Sequence, residues 1–236
     1  MSNGIKVKKR NGRGTESLDL EKMHKMVEDA TTGLAGVSAS QVEIQSGIQF
    51  YDGITTAEIQ EILIKSASDL IDLEHPNYQF VAARLLLFSV RKSLYGRSRE
   101  LPQLEDHIVK CVSQEVYDGD IYSKYSKEDI EKANGYIDHN RDFLFTYAGL
   151  RQVVDKYLVQ DRSTGQVYET PQFMYMMIAL TIFAEYPKET RLNYVRRYYD
   201  AISRHRINIP TPIMAGVRTP IRQFASCVLV DADDTL

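Results

Sequence analysis

From Leu20 onward, apolar residues recur at the spacing of one helix face, and several runs open on a capping residue or a proline. A chain patterned this way has to pack helices together rather than build a broad sheet. Leu20, Met23, Met26 and Val27 make the first stripe. Ser40 with Glu43, and Thr55 with Glu58, have the spacing of a capping box. They predict a second helix through Gln49 and a third carrying Ile59, Ile62, Leu63, Ser66 and Leu70 on one face. A fourth opens after Pro76 and runs through Phe80, Leu85 and Phe88 to Tyr95-Gly96.

Ahead of these helices, Ile5 and Val7 alternate with Lys6 and Lys8, Asn11-Gly12 is a turn signal, and Glu16-Ser17-Leu18 supplies a return strand. Residues 1–96 therefore read as a hairpin plus four helices. Arg97–Pro102 is polar and holds a proline, which marks a boundary. In 97–209 helical patterns cover His107–Gln114, Lys127–Ala133 and Tyr147–Tyr157. Tyr157-Leu158-Val159 and Gln166-Val167-Tyr168 then flank Ser163-Thr164-Gly165 as a second hairpin. Pro171 starts a strongly apolar helix with Phe173, Met176, Met177, Leu180 and Phe183 expected at depth, and Tyr186-Pro187 separates it from a helix over Lys188–Arg204. The fold class is mainly α with small β elements.

Residues 210–236 differ in character. Pro210-Thr211-Pro212-Ile213-Met214-Ala215-Gly216 reads as a rigid loop rich in hydroxyl and N–H donors, suited to an anion. Phe224–Val230 reads as a short apolar strand that carries Cys227. The other cysteine, Cys111, sits in Ile108–Val112, where a buried structural thiol is expected.

A net charge of −3 gives no reason for nonspecific nucleic-acid binding, although Lys6, Lys8, Lys9 and Arg10 form a local basic run. No apolar stretch reaches the ~20 residues that cross a bilayer, and a chain with two cysteines fits a reducing compartment, so a cytoplasmic location is expected. His24, His75, His107, His139 and His205 are scattered without metal-ligand spacing, and no metal is expected in this chain.

Pro210-Thr211-Pro212-Ile213-Met214-Ala215-Gly216-Val217-Arg218-Thr219-Pro220, followed by Arg222-Gln223-Phe224-Ala225-Ser226-Cys227, resembles the large subunit of class Ia ribonucleotide reductase, most of all the phage and enterobacterial kind. The likeness includes Val7–Gly12, Gln49–Gly53 and Ala82–Leu85, and what lies here resembles the N-terminal third of that subunit. The resemblance implies an ATP-cone over 1–96, a helical lead-in to the catalytic region over 97–209, and, over 210–236, the substrate loop and first strand of the family's ten-stranded α/β barrel.

It further implies roles for single residues. Cys227 matches a reducing cysteine whose disulfide partner lies far downstream, and Thr211 and Ser226 match residues that hold the substrate nucleoside diphosphate. Lys9, Arg10, the segment from Glu16 to Lys22, Thr56 and Lys92 match the site where ATP or dATP sets overall activity. Asp234, Thr235 and Leu236 match the start of the site for a deoxynucleoside triphosphate effector that selects the base reduced. There Asp233 stands where the family more often has glycine, Gln60 where relatives often have histidine, and Met23 where isoleucine is commoner.

The family's chemistry needs three cysteines, so the resemblance implies a complementary chain carrying the rest of the large subunit, as in a naturally split enzyme. It also implies a small subunit whose metal generates the radical, and thioredoxin or glutaredoxin to reset the disulfide. Two alternatives remain: a stand-alone module that binds ATP or dATP without catalysis, and a laboratory truncation of a longer protein.

Overall fold

The computed structural model describes residues 5–9, 14–96, 99–227 and 229. The elements in chain order are strands β1 (Lys6–Lys8) and β2 (Thr15–Ser17), then helices α1 (Leu20–Thr31), α2 (Ala39–Gly47), α3 (Thr56–Asp69) and α4 (Tyr78–Tyr95). After these come α5 (Leu104–Ser113), α6 (Ile121–Lys124), α7 (Lys127–Asn134), a 3₁₀ turn (His139–Leu144), α8 (Tyr147–Gln152) and a π-helical turn (Val153–Tyr157). The last three are α9 (Pro171–Ile182), α10 (Arg191–Ser203) and α11 (Thr211–Gly216). The described residues fall into two compact units. The first holds residues up to Leu101 together with Asp142–Val153, and the second holds Pro102–Arg141 with the residues from Val154 onward.

In the first unit β1 and β2 pair antiparallel, with Val7 opposite Glu16 and only Val7 buried. The Asn11-Gly12 turn lies outside the described residues. The Lys8 N–H reaches the Ile54 carbonyl at 2.9 Å, and Gly53, at φ 84°, lets the chain bend so that its own N–H donates to the Lys6 carbonyl at 2.8 Å. Thr55 and Glu58 form the expected capping box: the Thr55 N–H donates to Glu58 Oε2 at 2.8 Å and the Glu58 N–H to Thr55 Oγ1 at 3.1 Å. Thr55→Ala is expected to cost about 1 kcal/mol of first-unit stability, read from urea unfolding followed by circular dichroism.

The cap of α2 is Ser38, not Ser40. Ser38 and Gln41 have the same spacing as Ser40 and Glu43, so local sequence does not choose between them. Tyr78 decides it: its hydroxyl accepts the Ser38 N–H at 3.0 Å and donates to Gln41 Oε1. Glu43 turns instead to His24 Nδ1 at 2.7 Å and holds that imidazole above its ordinary pKa. Helix α4 packs along α3 and α8. Its Arg91 pairs with the buried Asp142 at 2.8 Å, and Arg84 and Arg91 both lie over the ring of Phe143. Gly96, at φ 73°, closes α4 in the left-handed conformation.

In the second unit α9 is buried from Pro171 through Leu180 and packs against α10. Phe183 falls just past its end and is only half-buried, within a cluster of Tyr186, Tyr194 and Tyr198. The expected second hairpin is a single bridge, Gln160 with Val167, flanked by backbone bonds from Asp161 to Gln166 and from Tyr168 to Val159 at 2.9 Å; Tyr157 belongs to the π turn, and the Val159 N–H donates to Glu169 instead of extending the ladder. The expected loop over residues 210–216 is instead the short helix α11, with prolines at its cap and second position presetting helical φ. Residues 221–227 form no strand. An apolar run becomes a strand only when a neighbour takes its backbone hydrogen bonds, and among the described residues no strand pairs with it.

Candidate functional site

Two places gather the residues singled out by sequence, one in each unit. In the first unit a cleft is lined by β2 and the turn after it, α1, the start of α3 and the end of α4. Its floor is apolar, from Val7, Met23, Met26 and Ile59, and its rim carries Glu16, Asp19, Lys22, Thr56 and Lys92. The cavity is about 130 Å³. That is roughly ten times the smallest cavity that takes one water, which leaves room for a planar ring system.

Asp19, Lys22 and Glu16 are held by charge pairing at the rim. Asp19 caps α1 by accepting the Lys22 N–H at 3.0 Å, and this bond, with the Lys22 ammonium 3.0 Å away, keeps its carboxyl below the usual range. The same pairing raises the Lys22 pKa. Lys9 pairs with Glu16 at 3.2 Å and is thereby tied to the rim. Thr56 is the first residue of α3, and Lys92 lies one position beyond the Arg91 that anchors α4. Buried Gln60 approaches Met26 Sδ at 3.6 Å and accepts from Ser89 Oγ at 3.5 Å. Arg10 lies outside the described residues.

In the second unit Cys227 is exposed, with the Ser226 hydroxyl 3.7 Å from its thiol. Thr211 stands apart from them in sequence, at the start of α11, its hydroxyl 3.3 Å from that of Tyr157. Between them the chain folds back: Phe224 comes beside Gly216, where a Cβ would meet its ring edge at 3.8 Å, and the Arg222 guanidinium pairs with Asp118. Val217, Arg218, Arg222 and Phe224 close one side of a cavity of about 220 Å³ against α6 and α9. Asp234, Thr235 and Leu236 lie outside the described residues.

Sequence reasoning missed what holds this segment. Arg218 is fully buried and its Nε donates to both oxygens of the equally buried Glu169, at 3.1 and 2.9 Å. Glu169 also accepts the Val159 N–H at 2.6 Å and the Tyr117 hydroxyl at 2.5 Å, and His107 Nε2 lies 3.0 Å from that hydroxyl. Burial pushes His107 down to about 3, so it is neutral, stacked on Phe173 at 4.2 Å. Burial likewise pushes the Cys111 thiol up to about 12, which leaves it no thiolate near neutral pH. The only sequence signal was an arginine inside a proline-rich segment with no acid near it in the chain.

Among the described residues no group of three or more His, Cys, Asp or Glu side chains is placed to hold a metal ion, and no helix is long and apolar enough to cross a membrane.

Two family models match the chain. Residues 5–93 match the ATP cone domain, and residues 143–222 match the ribonucleotide reductase all-alpha domain. The chain is 50% identical over 236 residues to ribonucleoside-diphosphate reductase 1 subunit alpha of Escherichia coli K12, covering all of this chain and 31% of that protein. It is equally similar, with the same coverage, to the corresponding alpha subunit of Haemophilus influenzae. It is 46% identical over 224 residues to that of Enterobacteria phage T4, covering 94% of this chain and 29% of the phage protein.

Fold and cleft thus define a protein in which an ATP cone precedes the all-alpha part of a ribonucleotide reductase. The chain belongs to the class I ribonucleoside-diphosphate reductase alpha-subunit family and corresponds to its N-terminal region. It spans 31% of the length of these bacterial relatives.

Proposed function

We propose that the chain supplies the nucleotide-sensing cone and the first redox cysteine of a ribonucleoside-diphosphate reductase. The observation that carries this reading is an exposed thiol, Cys227, beside a serine hydroxyl at the end of a segment anchored by a buried ion pair, in a chain whose whole length aligns with 31% of an alpha subunit. In the reaction, Cys227 and a cysteine from the remainder of the alpha subunit each give up one electron and one proton. The ribose loses its 2′-hydroxyl as water, and a disulfide is left for thioredoxin or glutaredoxin to reduce. A small subunit with its metal cofactor supplies the radical. Thr211 and Ser226 hold the nucleoside diphosphate, and Asp234, Thr235 and Leu236 begin the specificity effector site. The enzyme works in the cytoplasm.

The cleft of the first unit takes ATP or dATP. The planar base suits the apolar floor of Met23, Met26 and Ile59, and the phosphates suit Lys22 and Lys92 together with Lys9, tied to the rim through Glu16, with Glu16 and Thr56 accepting and donating at the rim. Lys92→Ala is expected to weaken ATP binding about tenfold, measured by calorimetry, because one charge-assisted contact is lost.

The test combines this chain with the remainder of the alpha subunit, on the same or a separate polypeptide, and with the radical-bearing small subunit. Reduction of a ribonucleoside diphosphate that changes with ATP and dATP supports the reading. Nucleotide binding with no reduction would make the chain a regulatory module instead.

A further inference from the structure

Arg218 does more than neutralise Glu169. Its Nη2 donates to the carbonyl of Tyr157 at 2.9 Å, at the end of the π turn, and its Nη1 to the carbonyl of Met214 at 2.5 Å, inside α11. One fully buried guanidinium therefore ties α11 to the turn that carries Tyr157, and the Tyr157 hydroxyl then meets that of Thr211 at 3.3 Å. The π turn is itself unusual: such turns are rare and collect at functional sites. It ends with Tyr157, whose carbonyl and hydroxyl both serve α11. Its neighbours are fixed in the same way, since the Asp118 N–H donates to the Arg218 carbonyl at 3.0 Å. Lysine cannot reproduce the arrangement, because it offers a point charge instead of a planar fork with donors in three directions.

We propose that Arg218 and Tyr157 are positioning residues of the reductase: Arg218, held by Glu169, docks α11 against the π turn, and the Tyr157 hydroxyl sets the orientation of the Thr211 hydroxyl toward the substrate. This rests on the reading that Thr211 contacts the nucleoside diphosphate. The hydroxyl contact is long for an O–H···O bond, so its expected effect on affinity is modest and lies in substrate binding more than in turnover.

The experiment uses Tyr157→Phe, Thr211→Ala and the double variant in the assembled reductase, and Arg218→Lys in this chain. Tyr157→Phe is expected to raise KM for the nucleoside diphosphate about threefold, with KM moving more than kcat, and the double variant to be no worse than Thr211→Ala. Arg218→Lys is expected to speed amide exchange of residues 213–217 about tenfold while α9 keeps its protection. If Thr211→Ala raises KM and Tyr157→Phe does not, the positioning role of Tyr157 is overturned and the substrate reading stands. If Thr211→Ala leaves KM unchanged, the substrate reading falls and takes the proposal with it. Unchanged exchange in Arg218→Lys removes the anchoring role whatever the kinetics show.

Discussion

Glu169→Ala is expected to destabilise the second unit by about 3–5 kcal/mol, the cost of leaving a buried charge without its partner. Three groups lose their acceptor at once: the Arg218 guanidinium, the Tyr117 hydroxyl and the Val159 N–H. Arg218 and Tyr117 lie where water does not replace the lost carboxylate, because both are buried, while Val159 is half-buried. The pair as a whole is worth much less than this, since two charges taken from water repay most of their attraction as desolvation. Glu169→Leu with Arg218→Met should therefore recover the part of the loss that comes from the unpaired charge, while the Tyr117 hydroxyl and the Val159 N–H remain without this acceptor. Urea unfolding followed by tyrosine fluorescence checks both, the chain having no tryptophan. A single variant within about 1 kcal/mol of wild type would show that the pair is open to solvent.

Cys227→Ser is expected to abolish multiple-turnover reduction in the assembled enzyme while ATP binding to the first unit stays as in wild type. Serine cannot form the S–S bond on which the proposed reaction depends, whatever its position. Cys111→Ser is the control: its thiol is buried, protonated near neutral pH and already placed against the Tyr168 carbonyl at 3.7 Å, which a serine hydroxyl can also face, so turnover should be retained. Wild-type turnover in Cys227→Ser would remove Cys227 from the reaction.

The helices were legible because their signals are local. Thr55 with Glu58, Pro171 and Gly96 each act within a few residues, through a cap, a preset φ or a left-handed closure. Ser38 against Ser40 shows where locality ends: two equivalent cap spacings lie two residues apart, and Tyr78, far along the chain, selects one. At the candidate sites, residue types and motif likeness brought forward Lys9, Glu16, Lys22, Thr56 and Lys92, and the structure gathers Glu16, Lys22, Thr56 and Lys92 around one apolar-floored cleft with Lys9 tied to it through Glu16. Thr211 and Cys227 were equally visible, but not the way the chain between them is held.

By itself the sequence determined the mainly helical class, the opening hairpin, the capping of α3, the buried character of α9 and the residues worth testing, because periodicity, capping and φ preferences act over a few neighbouring positions. Only the tertiary structure decided that residues 210–216 wind into a helix, that residues 221–227 stay irregular without a pairing strand, that Asp142 and Phe143 pack on α4, and that Arg218 closes on Glu169. Those outcomes turn on burial and on partners dozens of residues away. A buried charge is tolerable only where the fold delivers its counter-charge, and no local pattern announces that delivery.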